Sequence, residues 1–141
     1  MISTKGRYAL RVMIDLAEHN DGSYIPLKEI ASRQEISKKY LEIIVKEMVS
    51  GGLITGVSGK GGGYRLCREA DSYSVGEIIE LMEGTLSPVA CLTKDAEKCP
   101  RESECQTLPL WSEFYKITHD FLYGKKLTDL TKRTGDYNYV I

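Results

Sequence analysis

The stretch from Pro26 to Leu66, "PLKEIASRQEISKKYLEIIVKEMVSGGLITGVSGKGGGYRL", holds two helical patterns followed directly by a hairpin pattern. Pro26 stands where a first helical turn tolerates proline, and Leu27, Ile30 and Ala31 follow as one short amphipathic helix. Ser37 is a favourable N-cap for a longer helix that two glycines end. The apolar stripe of that longer helix is Leu41, Ile44, Val45, Met48 and Val49. The sequence therefore predicts two helices joined by a turn of three or four residues.

A hairpin is predicted immediately after these helices. The extended runs "LITGVS" and "YRLCR" are separated by "GKGGG" (Gly59 to Gly63), and glycine supplies the positive φ angles that a tight reversal needs. Two helices joined by a short turn and followed by a two-stranded wing form a winged helix-turn-helix. In that arrangement the second of the two helices enters the DNA major groove, while the wing touches the backbone or the minor groove.

Three further helices are predicted around this unit. The first begins at Ser3 or Thr4, and another begins at Ser74, where Glu77 completes a capping box. The last carries Leu110, Phe114, Ile117 and Phe121 at spacings of 4, 3 and 4, which is a heptad seam. This seam favours pairing with a second copy of the chain, and the alternative is packing onto its own domain.

The predicted fold is mainly α with a small β-hairpin, in three regions. Residues 1–84 form a winged helix-turn-helix DNA-binding domain, 85–108 a cysteine-containing, cluster-binding loop, and 109–141 a dimerisation helix with a C-terminal tail.

The net charge of −1 conceals an asymmetry. Residues 1–68 hold 11 Lys and Arg against 7 Asp and Glu, whereas the remainder holds 8 against 13. A basic half suits a polyanionic partner.

Several function classes are excluded. No apolar run approaches the roughly 18 residues that span a bilayer, and the start, "MISTKGRYAL", lacks a signal peptide's apolar region. We therefore expect a cytoplasmic protein without a membrane partner, with reduced thiols. The glycine run fails as a phosphate loop because Ile54 and Gly61 stand where a glycine and a hydroxyl are required. With no catalytic constellation, we expect neither an enzyme nor a small-molecule substrate.

The remaining pattern is the stretch "CLTKDAEKCPRESECQTLPLW" (Cys91 to Trp111), which contains three of the four cysteines. Their gaps of seven and five residues exceed those of common structural zinc sites, and no fourth Cys or His lies within the loop. An iron–sulfur cluster with three cysteines and one atypical ligand fits best, while zinc and plain redox thiols stay open. Cys67, beside Leu66, is expected to be a packing residue.

With these pieces in place, the chain resembles the IscR/NsrR/CymR family of bacterial winged-helix repressors. The likeness is carried by "STKGRYALRVMIDLA", "ISKKYLEIIVKEMVSGGLI", "GKGGGYRL" and "VGEIIELMEG", with "LW" at Leu110 and the later "LTDL" (Leu127 to Leu130). The resemblance implies a homodimer that binds a double-stranded DNA operator. It also implies control by an iron–sulfur cluster, 2Fe-2S first and 4Fe-4S second, held by Cys91, Cys99 and Cys105 with an unknown fourth ligand. In IscR-like members a histidine soon after the third cysteine completes the cluster, and "CQTLPLW" has none.

The resemblance also places residues at the DNA. Lys39, Glu42 and Ile43 would lie at base-reading positions, while Ser58 stands where the family often has a wing arginine. The full predicted DNA-binding set is Lys28, Ser37, Lys38, Lys39, Tyr40, Glu42, Ile43, Lys46, Ser58, Lys60, Gly61, Gly62 and Tyr64. The chain is therefore interpreted as a cluster-controlled repressor that senses iron–sulfur, iron, redox or nitric-oxide status. The alternative is a cluster-free regulator of sulfur or cysteine metabolism, controlled by a protein partner or by thiol oxidation.

Overall fold

The computed structural model describes residues 2–132, so the tail "GDYNYVI", part of the predicted region 109–141, lies outside the described residues. Two antiparallel strands, β1 (Ile54–Val57) and β2 (Gly63–Leu66), form the hairpin. Within this range the α-helices are α1 (Thr4–Glu18), α2 (Leu27–Gln34), α3 (Lys38–Ser50), α4 (Val75–Glu83) and α5 (Leu108–Tyr123). The predicted mainly helical, winged helix-turn-helix fold is confirmed.

The helix ends follow the predicted caps. The hydroxyl of Ser37 accepts a hydrogen bond from the Tyr40 backbone N–H at 3.3 Å and starts α3. Ser74 and Glu77 form the capping box of α4. Gly84 ends that helix in the left-handed conformation, which glycine adopts without a Cβ penalty.

The turn between α2 and α3 spans three residues and contains the one non-glycine residue of the described chain with a positive φ. Glu35 has φ 53° and ψ 46°, a conformation that costs about 1–2 kcal/mol for a residue with a Cβ. Two features hold it there. The Ile36 N–H donates to the Ala31 carbonyl at 3.1 Å, and the Ile36 side chain is buried. The turn is therefore fixed by burial of the residue that follows it.

The wing is attached to the helical domain at two places. Ile25 exchanges backbone hydrogen bonds of 2.8 and 2.9 Å with Tyr64 of β2, and a Cβ on Gly63 would collide with the Ile25 carbonyl. The fully buried Tyr73 donates its hydroxyl to the Leu53 carbonyl at 2.7 Å and accepts from the Cys67 N–H at 3.0 Å. Leu53 and Cys67 flank the two strands, so both ends of the hairpin are hydrogen-bonded to the Tyr73 hydroxyl.

One hydrophobic core contains side chains from the four helices α1, α2, α3 and α4, from the hairpin and from a segment that follows α5. Leu127, in the 3-10 turn Leu127–Leu130, is fully buried in the same cluster as Met13, Ile44 and Tyr73. A smaller cluster of Val75, Ile79 and Leu86 packs against Tyr115 and Leu122 and seats α5 on α4. The core of the winged helix-turn-helix thus incorporates a residue from beyond the cysteine loop.

A buried carboxylate connects α1 to the end of α2. Asp15 is 0% exposed and accepts hydrogen bonds from Arg33 Nε at 3.0 Å, Arg33 Nη2 at 2.8 Å and Gln34 Nε2 at 3.1 Å. The hydrogen bonds to Asp15 raise the pKa of the Arg33 guanidinium above its ordinary value. A buried charge is tolerated when it is paired and hydrogen-bonded, which is the situation here.

Removing the guanidinium while leaving the carboxylate should destabilise the domain. We expect Arg33→Met to lower the free energy of unfolding by about 2–3 kcal/mol, below the full cost of breaking a buried pair because Arg33 is partly exposed. The double variant Asp15→Leu/Arg33→Met should recover at least half of that loss, since no unpaired charge is left behind. Urea unfolding measures both, with Lys116→Met as the control because its ion pair with Asp120 is exposed. A double variant less stable than the single one would show that the loss does not come from an unpaired buried charge.

Candidate functional site

The outer face of α3 presents five of the thirteen residues predicted to meet DNA. Lys38, Lys39, Glu42, Ile43 and Lys46 are all exposed. The opposite stripe of Leu41, Ile44, Val45 and Met48 is buried in the core. Val49 was expected in that stripe, but this expectation is wrong: Val49 is 39% exposed, because it lines an open groove between α3 and the wing rather than the core.

The N-terminal end of α3 lies against α1. Ser37 is exposed and caps the helix, and Tyr40 packs edge-to-face on Tyr8 with ring centroids 5.6 Å apart. Ser37, Tyr40, Tyr8 and Thr4 line one shallow groove. Lys28 is exposed on α2. Tyr8 and Thr4 were not predicted as site residues, because their nearness to α3 depends on how two helices pack.

A groove between α3 and the wing brings two predicted groups together. Its walls include Glu42 and Lys46 from the helix and Ser58 and Tyr64 from the wing. Val49 and Val57 line it as well, and both are exposed. The groove therefore combines charged and hydroxyl groups with apolar surface, which are the groups that read base edges and thymine methyls.

The tip of the wing presents mainly backbone. The Gly62 N–H donates to the Gly59 carbonyl at 3.0 Å to close the turn, and Gly59 and Gly61 adopt φ of 89° and 78°. Lys60 and Gly61 are exposed, and Gly62 is half-buried. A positively charged side chain on a slim backbone loop has the shape to approach phosphates.

The three clustered cysteines line a single cavity of about 340 Å³. Cys91 lies in the 3-10 turn Ala90–Leu92, and Cys105 directly follows the 3-10 turn Glu102–Glu104. The cavity is also lined by Leu92, Ala96, Glu97, Lys98, Glu102 and Leu108. The loop thus brings the three cysteines to the wall of one cavity.

The donor set of this cavity suits iron, although the loop is open. Side-chain and backbone hydrogen bonds from Thr107 lower the pKa of the Cys105 thiol, which favours the thiolate that binds metal. Across residues 2–132, however, no three Cys, His, Asp or Glu side chains are gathered closely enough to hold a metal ion as they stand. The residues fit a thiolate-held cluster in kind, and binding would have to draw the loop together to bring them within ligating distance.

Cys67 departs from its expected role. It was predicted to be a packing residue, but it is exposed, because β2 ends at Leu66 and the chain then turns outward. Its backbone rather than its thiol carries the structural contact, through the N–H that donates to Tyr73. Cys67 does not line the cavity of the other three cysteines.

The heptad seam of α5 faces outward. Leu110, Phe114, Ile117 and Phe121 are all exposed, Ile117 at 61% and Phe121 at 60%. The other side of α5 packs on α4, where the Tyr123 ring fills the space beside Gly76. These four side chains therefore do not pack onto their own domain, which was the alternative to pairing with a second copy. Along residues 2–132, no helix combines the length and the apolarity needed to cross a membrane.

Comparisons with known proteins agree with this architecture. A family profile described as Rrf2, iron-dependent transcriptional regulator, matches residues 2–133. The regulator IscR of Vibrio campbellii is 35% identical over 131 residues, covering 93% of this chain and 77% of that protein. The solved structure of CymR, the global cysteine regulator of B. subtilis, superposes with a TM-score of 0.73 at 37% identity, covering 92% and 95% of the two chains. IscR of T. potens superposes with a TM-score of 0.70 at 32% identity, covering 92% and 85%.

Proposed function

The chain belongs to the Rrf2 family of transcriptional regulators, and from that premise we propose that it is a homodimeric, cytoplasmic repressor controlled by an iron–sulfur cluster. Members of this family are DNA-binding regulators and not enzymes. The observation that carries the cluster is the single cavity lined by Cys91, Cys99 and Cys105. A 2Fe-2S cluster is proposed first, and a 4Fe-4S cluster is the alternative.

The proposed DNA interface is the outer face of α3 together with the wing. Lys38, Lys39 and Lys46 supply positive charge for phosphates, and Glu42 can accept a hydrogen bond from a cytosine amine. Ile43 is exposed and apolar, which suits a thymine methyl. Ser58, Lys60 and the wing glycines contact the neighbouring backbone or minor groove.

The proposed dimer forms through the seam of α5. Four large apolar side chains at heptad spacing are exposed in one copy, and a facing copy would bury them. A dimer also places two copies of α3 at the two half-sites of an operator, which is how helix-turn-helix proteins read pseudo-palindromes.

The proposed control acts through the position of the cysteine loop. The loop connects α4, which belongs to the DNA-binding domain, to α5, which carries the dimer seam. A bound cluster supplies a centre whose ligation responds to iron supply, oxidants or nitric oxide. Drawing Cys91, Cys99 and Cys105 together orders the loop and so changes how the seam and the two copies of α3 are spaced.

A second function is favoured by a specific observation. The thiols of the described residues are not gathered for a metal, and the Cys105 thiol has a lowered pKa that favours its reactive thiolate form. Control by thiol oxidation would need only a reactive thiol of this kind, and control by a protein partner would need no metal site. The similarity to CymR is consistent with that function.

The DNA interface can be tested by comparing a phosphate contact with a base contact. Lys46→Ala should weaken binding to all duplexes and reduce the salt slope by roughly one unit. Glu42→Ala should instead change which operators are preferred, since a base contact carries about 1–3 kcal/mol of discrimination. Selection from random duplexes followed by titration at several salt concentrations measures both effects. An unchanged operator ranking for Glu42→Ala would remove its base-reading role.

The dimer can be tested at the centre of the seam. Ile117→Asp should place an unpaired charge between two helices at a cost of several kcal/mol, so the protein should sediment as a monomer. Operator affinity should fall with it, because two half-sites need two linked copies. Ser112→Asp adds the same charge on an exposed part of α5 outside the seam and should leave the dimer intact. If Ile117→Asp still sediments as a dimer, the interface lies elsewhere.

The cluster can be tested by anaerobic purification, a visible absorption spectrum, and iron and sulfide assays. Wild-type protein should be coloured, and replacing Cys91, Cys99 or Cys105 by serine should abolish or severely destabilise the cluster. Cys67→Ser should retain it. Operator affinity should differ between cluster-bound and cluster-free protein by between about 5-fold and 150-fold. A colourless, iron-free wild-type protein with full operator binding would instead establish the cluster-free regulator.

A further inference from the structure

The cavity that holds the three cysteines lacks an evident fourth donor. Iron–sulfur clusters are commonly held by four protein ligands, and this cavity provides three thiols. Leu108, in the first turn of α5 and three residues after Cys105, lines the cavity with an apolar side chain that cannot bind iron. The other side chains on the cavity wall are therefore the first candidates for a fourth ligand from this chain.

Two carboxylates lie on that wall, those of Glu97 and Glu102. We propose that Glu102 is the fourth ligand of the cluster, an inference that rests on the proposed function. The site would then hold three thiolates and one carboxylate. Within residues 2–132, no Lys, Arg or His forms an ion pair with either Glu97 or Glu102. Both carboxylates are therefore available to a metal.

The backbone favours Glu102 over Glu97. The Glu102 N–H donates to the Cys99 carbonyl at 3.1 Å, which closes a turn between these two residues. Glu102 then opens the 3-10 turn that delivers Cys105, and the Glu104 N–H donates to the Arg101 carbonyl at 2.9 Å within it. Glu102 is thus held between two of the proposed thiolate ligands by two hydrogen-bonded turns.

Glu104 provides an internal comparison. It lies in the same 3-10 turn and carries the same side chain, but it lines a neighbouring cavity that Cys91 does not reach. If negative charge near the cluster were what mattered, neutralising Glu102 and neutralising Glu104 would have the same effect. If Glu102 binds the cluster, only its replacement would have an effect.

A carboxylate at this position would make the cluster responsive. Oxygen is a harder ligand than thiolate and is bound less strongly by centres that prefer sulfur. A single weaker position among three thiolates is where iron is first exposed to chelators and small reactive molecules. The atypical ligand would therefore set how readily the cluster is lost.

The experiment uses cluster-loaded full-length protein and follows bleaching of its visible absorption by an iron chelator under anaerobic conditions. Glu102→Gln should lose the cluster about tenfold faster than wild type or more, on the scale by which altered metal-site partners change affinity. Glu97→Gln and Glu104→Gln should stay close to wild type. Glu102→Cys should restore slow loss with a changed spectrum, because a fourth thiolate replaces the oxygen.

The outcomes separate the ligand assignment from the proposed function. If wild-type protein holds iron and sulfide but Glu102→Gln bleaches no faster than Glu104→Gln, the assignment is wrong and the cluster-controlled function stands. If Glu97→Gln alone bleaches quickly, the ligand is Glu97 and the proposal is also overturned. If wild-type protein holds no cluster, both the ligand and the function fail.

Discussion

The buried carboxylate of Asp15 is the constraint on which the presentation of the proposed DNA-binding face depends. A charge without solvent must have its oxygens bonded by the protein, so Arg33 and Gln34 have to be brought to it. That requirement fixes the last turn of α2 against α1. The Glu35 turn and the buried Ile36 come immediately after that turn of α2, and they set the direction in which α3 begins. One polar interaction and one buried side chain thereby orient a helix whose proposed DNA-contacting residues lie on the surface.

The wing and the cysteine loop contrast in how firmly they are held. The hairpin is anchored by the hydroxyl of Tyr73 and by the backbone bonds between Ile25 and Tyr64. The bonds from Tyr73 to Leu53 and between Ile25 and Tyr64 link residues distant in sequence. The turns on either side of Cys99 are instead closed by bonds between residues three apart, such as Ala96 to Thr93 and Glu102 to Cys99. Local bonds on an exposed loop resist rearrangement weakly. The molecule therefore combines a rigid DNA-facing unit with a loop that a ligand could reshape.

Features that depend on nearby residues could be predicted from the sequence, and features that depend on distant partners could not. The Ser37 cap and the Ser74 and Glu77 capping box need a few neighbouring residues and were predicted correctly. The grouping of three cysteines was equally visible, because they share one loop. The exposure of Val49 and Cys67 was mispredicted, since it depends on where the wing lies. The partners of Asp15 were not predicted, because only the folded chain brings them together. Glu97 and Glu102 share the loop with the thiols, but the sequence alone does not tell which side chains of the loop line the cavity.

The burial of Leu127 has a consequence for how the protein is made. The side chain completes the core that α1 and Tyr73 begin, yet it follows both the cysteine loop and α5 along the chain. Domains often fold during synthesis, starting from the N-terminal side. Here the ribosome must release the cysteine loop and α5 before the helix-turn-helix can close its core. The complete core, and with it the proposed operator-reading surface, can therefore form only after the segment that carries the thiols has also emerged.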